Sequence, residues 1–274
     1  MVALAVVLLF SGCVAPVGVV APTTRNEVGE FRPGHVNGYL DARTVPDSLA
    51  LLPAPPVAGS ALQAADEAAF RALTTLQGTP RGAIAVSDAD LSFPHAPAAF
   101  SCALGIAITQ QDTPNLSMLL LRTMADAALV TAAAKDKYKR VRPMVALNRP
   151  SCTPADDAAS AKGGSYPSSH TSIGWAWALV LTEVAPDRAD AILQRGRAFG
   201  QSRAICGVHW ESDVEAGRVV GAATVAREHA SPVFMAQLDA ARIEVAKARS
   251  LGAPAAVGCA AEAAAIASTA LLAP

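Results

Sequence analysis

An all-α fold is what the 274-residue sequence predicts, and three observations predict it. Apolar residues recur at three- and four-residue spacing through most of the chain. No stretch of useful length alternates apolar and polar residues as a half-buried strand would. The helical stretches begin and end on capping residues. At 52% hydrophobic residues the chain can bury a sizeable core.

Taken in order, residues 1–13, "MVALAVVLLFSGC", form an apolar run of signal-peptide length that is too short to span a bilayer. Phe10-Ser11-Gly12-Cys13 resembles a bacterial lipoprotein cleavage box, which makes Cys13 the expected lipid-anchor position. Residues 14–59, rich in Pro, Gly and Val, predict an extended arm with little regular structure. The body, 60–250, starts on a capping box, Ser60 with Gln63, and its first helix stops at Gly78 and Pro80. Helices are expected next at 82–90 and 96–110. Thr113 as N-cap and Pro114 at the first helical position open the longest helix, carried by Leu116, Leu119, Leu120, Met124, Ala127 and Ala134 and ending before Pro143. A polar loop, 144–164, separates it from helices at 169–185, 187–205, 209–230 and 232–249. The Ala-rich tail, 251–274, reads as a packed or a frayed terminal helix.

Charge and cysteine content narrow the functional classes. The net charge of -1 offers no basic face for nucleic acid. No internal run reaches about 20 uninterrupted apolar residues, which excludes an integral membrane enzyme. Cys102, Cys152, Cys206 and Cys259 form an even set that suits disulfides in an exported chain, with three connectivities open and a thiol role for Cys206 still to be weighed. No Cys-x-x-Cys pair suggests a zinc or thioredoxin-like site.

Three stretches carry chemistry. In "KDKYKRVRP", Lys135 and Arg142 lie seven residues apart, which on one helix puts both cations on one face. In "SYPSSH", Ser168, Ser169 and His170 stand at the start of a helix whose free amides suit an anion. In "SRAICGVHWESD", Arg203 precedes His209 and Asp213, whose spacing of four on a helix stacks a carboxylate beside an imidazole and leaves the other ring nitrogen as a directed lone pair. Each alone is ordinary: a basic helix end, a Ser N-cap, a surface ion pair. Together they supply what transfer of a phosphoryl group needs, namely fixed cations for its oxygens, a nucleophile and a proton donor.

These residues resemble the signature of the type 2 phosphatidic acid phosphatase and vanadium haloperoxidase superfamily: Lys135, Arg142 and Pro143; Pro167, Ser168, Ser169 and His170; Ser202, Arg203, His209 and Asp213. Outside the motif, "PDSLALLPAPPVAGSA", "FSCALGIAI" and "HWESDVEAGR" are similar to bacterial class A non-specific acid phosphatases over roughly residues 35–230. The resemblance implies a helical bundle of that type, periplasmic or secreted, that hydrolyses phosphate monoesters such as nucleotides, sugar phosphates or aryl phosphates without metal or cofactor, as a homo-oligomer. It further implies that His209 attacks phosphorus, Asp213 orients it, and His170 protonates the leaving oxygen. Lys135, Arg142, Arg203, Ser168 and the amide of Ser169 would hold the phosphate. The departure is Ser169, where the family has Gly. Ordinary helix N-terminal backbone is expected there, at which Ser is tolerated and can add a donor.

Other functions compete for the same residues. A vanadate-dependent haloperoxidase would use His209 as its vanadate ligand. A metal-dependent hydrolase would use His170, His209 and Asp213 as ligands, against which three converging cations argue. A non-catalytic phosphate-binding envelope lipoprotein would need the cations but not both histidines.

Overall fold

The computed structural model describes residues 19–253 and 256–269. The expected signal segment, with Cys13, lies outside the described residues. The arm holds more regular structure than its composition suggests. It contains α1 (Arg25–Val28), a two-stranded antiparallel hairpin of β1 (Glu30–Arg32) and β2 (His35–Val36), and α2 (Ser48–Leu51). After it the regular elements among the described residues are helices: α3 (Ala61–Leu73), α4 (Pro80–Ser87), α5 (His95–Ala98), α6 (Ser101–Leu104), α7 (Pro114–Leu129), α8 (Ala132–Tyr138), α9 (Pro143–Ala146), α10 (Asp157–Ser160), α11 (Ser169–Val184), α12 (Ala189–Ile205), α13 (Glu211–Glu228), α14 (Pro232–Ser250) and α15 (Cys259–Ala267). The all-α expectation is met.

The single long helix expected from Pro114 is instead α7 and α8, because the chain turns at Val130 and Thr131, and α8 ends where Lys139 adopts a left-handed backbone (φ 43°). Residues 140–142 then run outside any helix, and Arg142 precedes Pro143, which starts α9. By length and composition the stretch Pro114–Ala146 would suit a membrane span, yet 67% of its most apolar window is buried. Here it is a core element.

Helix α11 is the centre of the bundle and packs against α7, α12, α13 and α14. A helix with neighbours on every side must be apolar all round. Accordingly Ile173, Ala176, Trp177, Val180 and Leu181 are all buried, and the Trp177 indole donates to the carbonyl of Leu120 at 2.7 Å. Gly217 lets α13 approach the first turn of α11, since a Cβ there would lie 2.6 Å from the carbonyl oxygen of Ser168. This approach sets the start of α13 beside the start of α11.

Among the described residues two disulfides brace the bundle, Cys102–Cys259 and Cys152–Cys206. They resolve the connectivity that the sequence left open and leave Cys206 without a thiol. The first ties α15 to α6, and the second ties the loop after α9 to the turn after α12.

The arm is locked by a buried carboxyl pair. Asp126 of α7 accepts from the Tyr39 amide at 2.7 Å, and Glu228 of α13 accepts from the Thr123 hydroxyl at 3.3 Å. Arg122 lies 4.0 Å from the centre of the Tyr39 ring and donates to the carbonyls of Asn37 and Gly38. Burial raises the Asp126 carboxyl to about 6, and burial with the neighbouring Asp126 charge raises Glu228 well above the ordinary carboxylate range, so both favour the neutral acid. Stability from this pair is therefore full below the ordinary carboxylate range and is lost as pH rises through about 6. Glu228→Gln keeps a donor for Asp126 without a titrating proton. Its melting temperature minus that of the wild type should rise between about pH 5 and pH 7.5. A difference that is constant with pH would contradict a raised Glu228 carboxyl.

Candidate active site

The site lies where the starts of α11 and α13 meet the end of α12. Ser168 caps α11, accepting from the Thr171 amide at 3.3 Å, while its own amide donates to the carbonyl of Asp213 at 2.9 Å. Ser169 is not among the described residues with a left-handed backbone, so this position does not require Gly. Its hydroxyl lies 2.8 Å from that of Thr131, which spends its own proton on the carbonyl of Ala128. Ser169 must therefore donate to Thr131. The extra donor expected from this Ser is directed into the protein. His170 follows, with Nε2 3.1 Å from the carbonyl of Ala89. A carbonyl only accepts, so Nε2 carries hydrogen and Nδ1 is the nitrogen left for chemistry.

At the end of α12 the chain reverses. Gly207 (φ 78°) supplies the left-handed turn, and the amides of Val208 and His209 both fold back onto the carbonyl of Arg203, at 3.1 and 3.3 Å. His209 thus sits just ahead of α13 and not on it as the spacing suggested. Asp213 is in the first turn of α13, where Oδ2 accepts from the Trp210 amide at 2.9 Å and faces His209 Nδ1 at 3.4 Å. The spacing of four brings the two side chains together through a helix cap.

Lys135 and Arg142 likewise converge differently from the expectation. Lys135 lies on α8 and Arg142 on the following loop, so no common helix face exists. Both instead reach the carbonyl of Gly164, Lys135 Nζ at 2.8 Å and Arg142 Nη2 at 3.5 Å. Arg142 Nη1 also lies 3.0 Å from His209 Nε2. A guanidinium only donates, so Nε2 holds the lone pair and Nδ1 the hydrogen. Arg203 is buried, with Nε and Nη1 lacking any partner. Lys135, Arg142, His209, Asp213 and Ser168 are thus joined through hydrogen bonds, Arg203 and His170 lie near enough to influence the charge of the His209 site, and the Ser169 hydroxyl turns away to Thr131.

Against known proteins, residues 116–234 match the PAP2 superfamily. The chain is 47% identical to a non-specific acid phosphatase of Providencia stuartii over 210 residues, covering 76% of this chain and 85% of the relative. It belongs to the PAP2 superfamily. Two further relatives are an acid phosphatase of Zymomonas mobilis, 41% identical over 74% of this chain and 77% of the relative, and a non-specific acid phosphatase of Salmonella typhimurium, 40% identical over 78% and 90%. The chain is an acid phosphatase, a phosphoric monoester hydrolase of this superfamily.

The electrostatics of the PAP2 site favour an anion. Burial and the nearby Arg142 lower the Lys135 ammonium to about 7, and burial and Arg142 lower Arg203 to about 10. Burial first, then Arg142 and Lys135, hold His209 well below its ordinary value; burial and Arg203 do the same to His170. Each of these groups is disfavoured as a cation by the others, and a phosphate dianion would reverse that for all of them. Among the described residues no group of three His, Cys, Asp or Glu side chains has the arrangement of a metal site. His95 and His229 lie elsewhere, bonded to Ser87 and to Glu183.

Sequence reasoning missed one cation in this acid phosphatase. Arg140, whose side chain is 7% exposed, donates to Asp213 Oδ1 at 2.6 Å and to Asp66 Oδ2 at 2.7 Å. It also donates to Ser212 Oγ and to Gln63 Oε1, so the Gln63 side chain serves Arg140 and does not complete the expected capping box. The available signal was Asp66 itself, an acid on the face of α3 that buries Phe70 and Leu73.

Proposed function

We propose that this acid phosphatase hydrolyses phosphate monoesters without a metal, through a phosphohistidine at His209. The observation that carries the reading is the assigned imidazole: Arg142 beside Nε2 and Asp213 beside Nδ1 leave one lone pair directed among Lys135, Arg142 and Arg203. Nε2 attacks phosphorus as the bond to the leaving oxygen breaks. That oxygen takes the electron pair and a proton from Nδ1 of His170, which has become the imidazolium beside the bound phosphate dianion. Water then attacks phosphorus, gives its proton to His170, and the P–N bond breaks to release phosphate. Lys135, Arg142, Arg203, Ser168 and the Ser169 amide hold the phosphoryl oxygens, whose charge is spread in transfer and needs fixed donors more than covalent help.

Nucleotides, sugar phosphates and aryl phosphates all present the group this site would hold, and the proposal is for that whole class. It includes export to the periplasm or medium, with Cys13 as anchor point and self-association of the chain. Two disulfides support the oxidising compartment. The purified protein is expected to hydrolyse p-nitrophenyl phosphate near pH 6 at the same rate with and without EDTA. Loss of activity in EDTA, restored by a divalent cation, would overturn the metal-free reading.

A further inference from the structure

Behind Asp213, on the side away from the phosphate cations, lies a buried charge relay that the mechanism above does not use. Arg140 spans two carboxylates, Asp213 at 2.6 Å and Asp66 at 2.7 Å, whose side chains are 0% and 4% exposed. Ser212 closes the ring, donating from its amide to Asp66 Oδ1 at 2.9 Å and from its hydroxyl to Asp66 Oδ2 at 2.6 Å. The Trp210 ring lies 5.4 Å from the Arg140 guanidinium carbon, and its indole nitrogen donates to the carbonyl of Val141 at 2.9 Å, so the loop that carries Arg140 is fastened to the residue beside His209. A cation so fully desolvated with two carboxylates is costly to assemble for stability alone.

We propose that Arg140 and Asp66 are positioning residues for the reaction: Arg140 clamps Asp213 in register with His209, and Asp66 divides the charge that Asp213 receives. The inference rests on the His209 reading above. Only as a carboxylate is Asp213 an acceptor at both oxygens, which fixes the hydrogen on His209 Nδ1. A neutral acid gains an O–H that can donate to Nδ1 instead, which stabilises the tautomer with hydrogen on Nε2 and without the nucleophilic lone pair. Burial raises the Asp213 carboxyl, and Arg140 is the largest opposing influence. The other groups facing it are Lys135 from α8, Arg142 from the loop, Tyr166 and Ser165 from the segment before α11, and His209. Asp66 is faced by Arg140, Ser212 and Glu211. Of all these, only Arg140 joins the two carboxylates.

The relay gives opposite signs for its two members. In Arg140→Gln the acid limb of the kcat profile should move up by about 1–3 pH units, with kcat near pH 5 falling on the order of 10²-fold. Arg140→Lys, which restores the charge, should return the limb toward the wild type. In Asp66→Asn, Arg140 acts on Asp213 undivided, and the limb should move down. KM for p-nitrophenyl phosphate and inhibition by inorganic phosphate should stay within about threefold in each, because the donors to phosphate are untouched. Limbs that stay in place, or move the same way in both variants, would overturn the relay. If Arg140→Gln does not fold by circular dichroism, Asp66→Asn decides alone: a downward limb supports the proposal, and an unmoved or upward one overturns it. His209→Ala run alongside separates the two levels, since activity retained there would mean that the histidine reading itself has failed.

Discussion

His209→Ala is expected to lower kcat by at least about 10⁴-fold while the protein keeps its fold and still binds inorganic phosphate. His209 is 3% exposed and its ring contributes no hydrophobic cluster, so truncation leaves a small polar gap next to Arg142 and Asp213. What disappears is the atom that forms the bond to phosphorus. Lys135, Arg142 and Arg203 remain, and the phosphate donors with them. Binding and turnover should therefore separate: phosphate protection against thermal unfolding persists, and hydrolysis does not. A variant that hydrolyses within about tenfold of the wild-type rate would assign the nucleophile elsewhere.

Asp213→Asn should cost about 10⁴-fold in kcat, the scale seen when the group that orients a catalytic imidazole loses its charge. Asp213 Oδ2 serves both the Trp210 amide and His209 Nδ1, and Oδ1 takes the Arg140 guanidinium at 2.6 Å. An Asn can satisfy only part of this. If its oxygen faces Trp210 and His209, its amide nitrogen meets Arg140 donor to donor. If it is flipped, the nitrogen meets His209 and favours the tautomer with hydrogen on Nε2. Either outcome removes the directed lone pair or leaves Arg140 short of a partner. Substrate KM is expected to change by less than about threefold, and a loss confined to KM would contradict an orienting role.

Much of this was legible in the sequence because the site is built from residue types with few other uses in an apolar bundle. Lys135, Arg142, Arg203, His170 and His209 stand out where only 16% of residues are charged. Helices α3, α7, α11, α12 and α14 follow from periodicity, with side-chain caps at the starts of α3, α11 and α14. What spacing could not show was backbone that leaves the helix. Periodicity runs unbroken through Thr131, so it hid the left-handed Lys139 and put Arg142 on the wrong kind of element. In the same way, four-residue spacing at His209 and Asp213 looks identical whether both lie on a helix or one lies just before it. Ser169 required the position of Thr131, 38 residues away, to decide where its hydroxyl proton goes. Arg140 was hidden among neighbouring Lys and Arg residues, and its partner Asp66 lies 74 positions distant.

The central claim is a covalent phosphoryl bond to nitrogen of His209, and trapping it is the most direct test. Enzyme mixed with a phosphate-labelled monoester and quenched in base within the first turnover should carry label on the His209 peptide, and the label should be released by acid. The His209→Ala protein should carry none. Full first-turnover hydrolysis with no labelled peptide, or label retained in His209→Ala, would contradict the account.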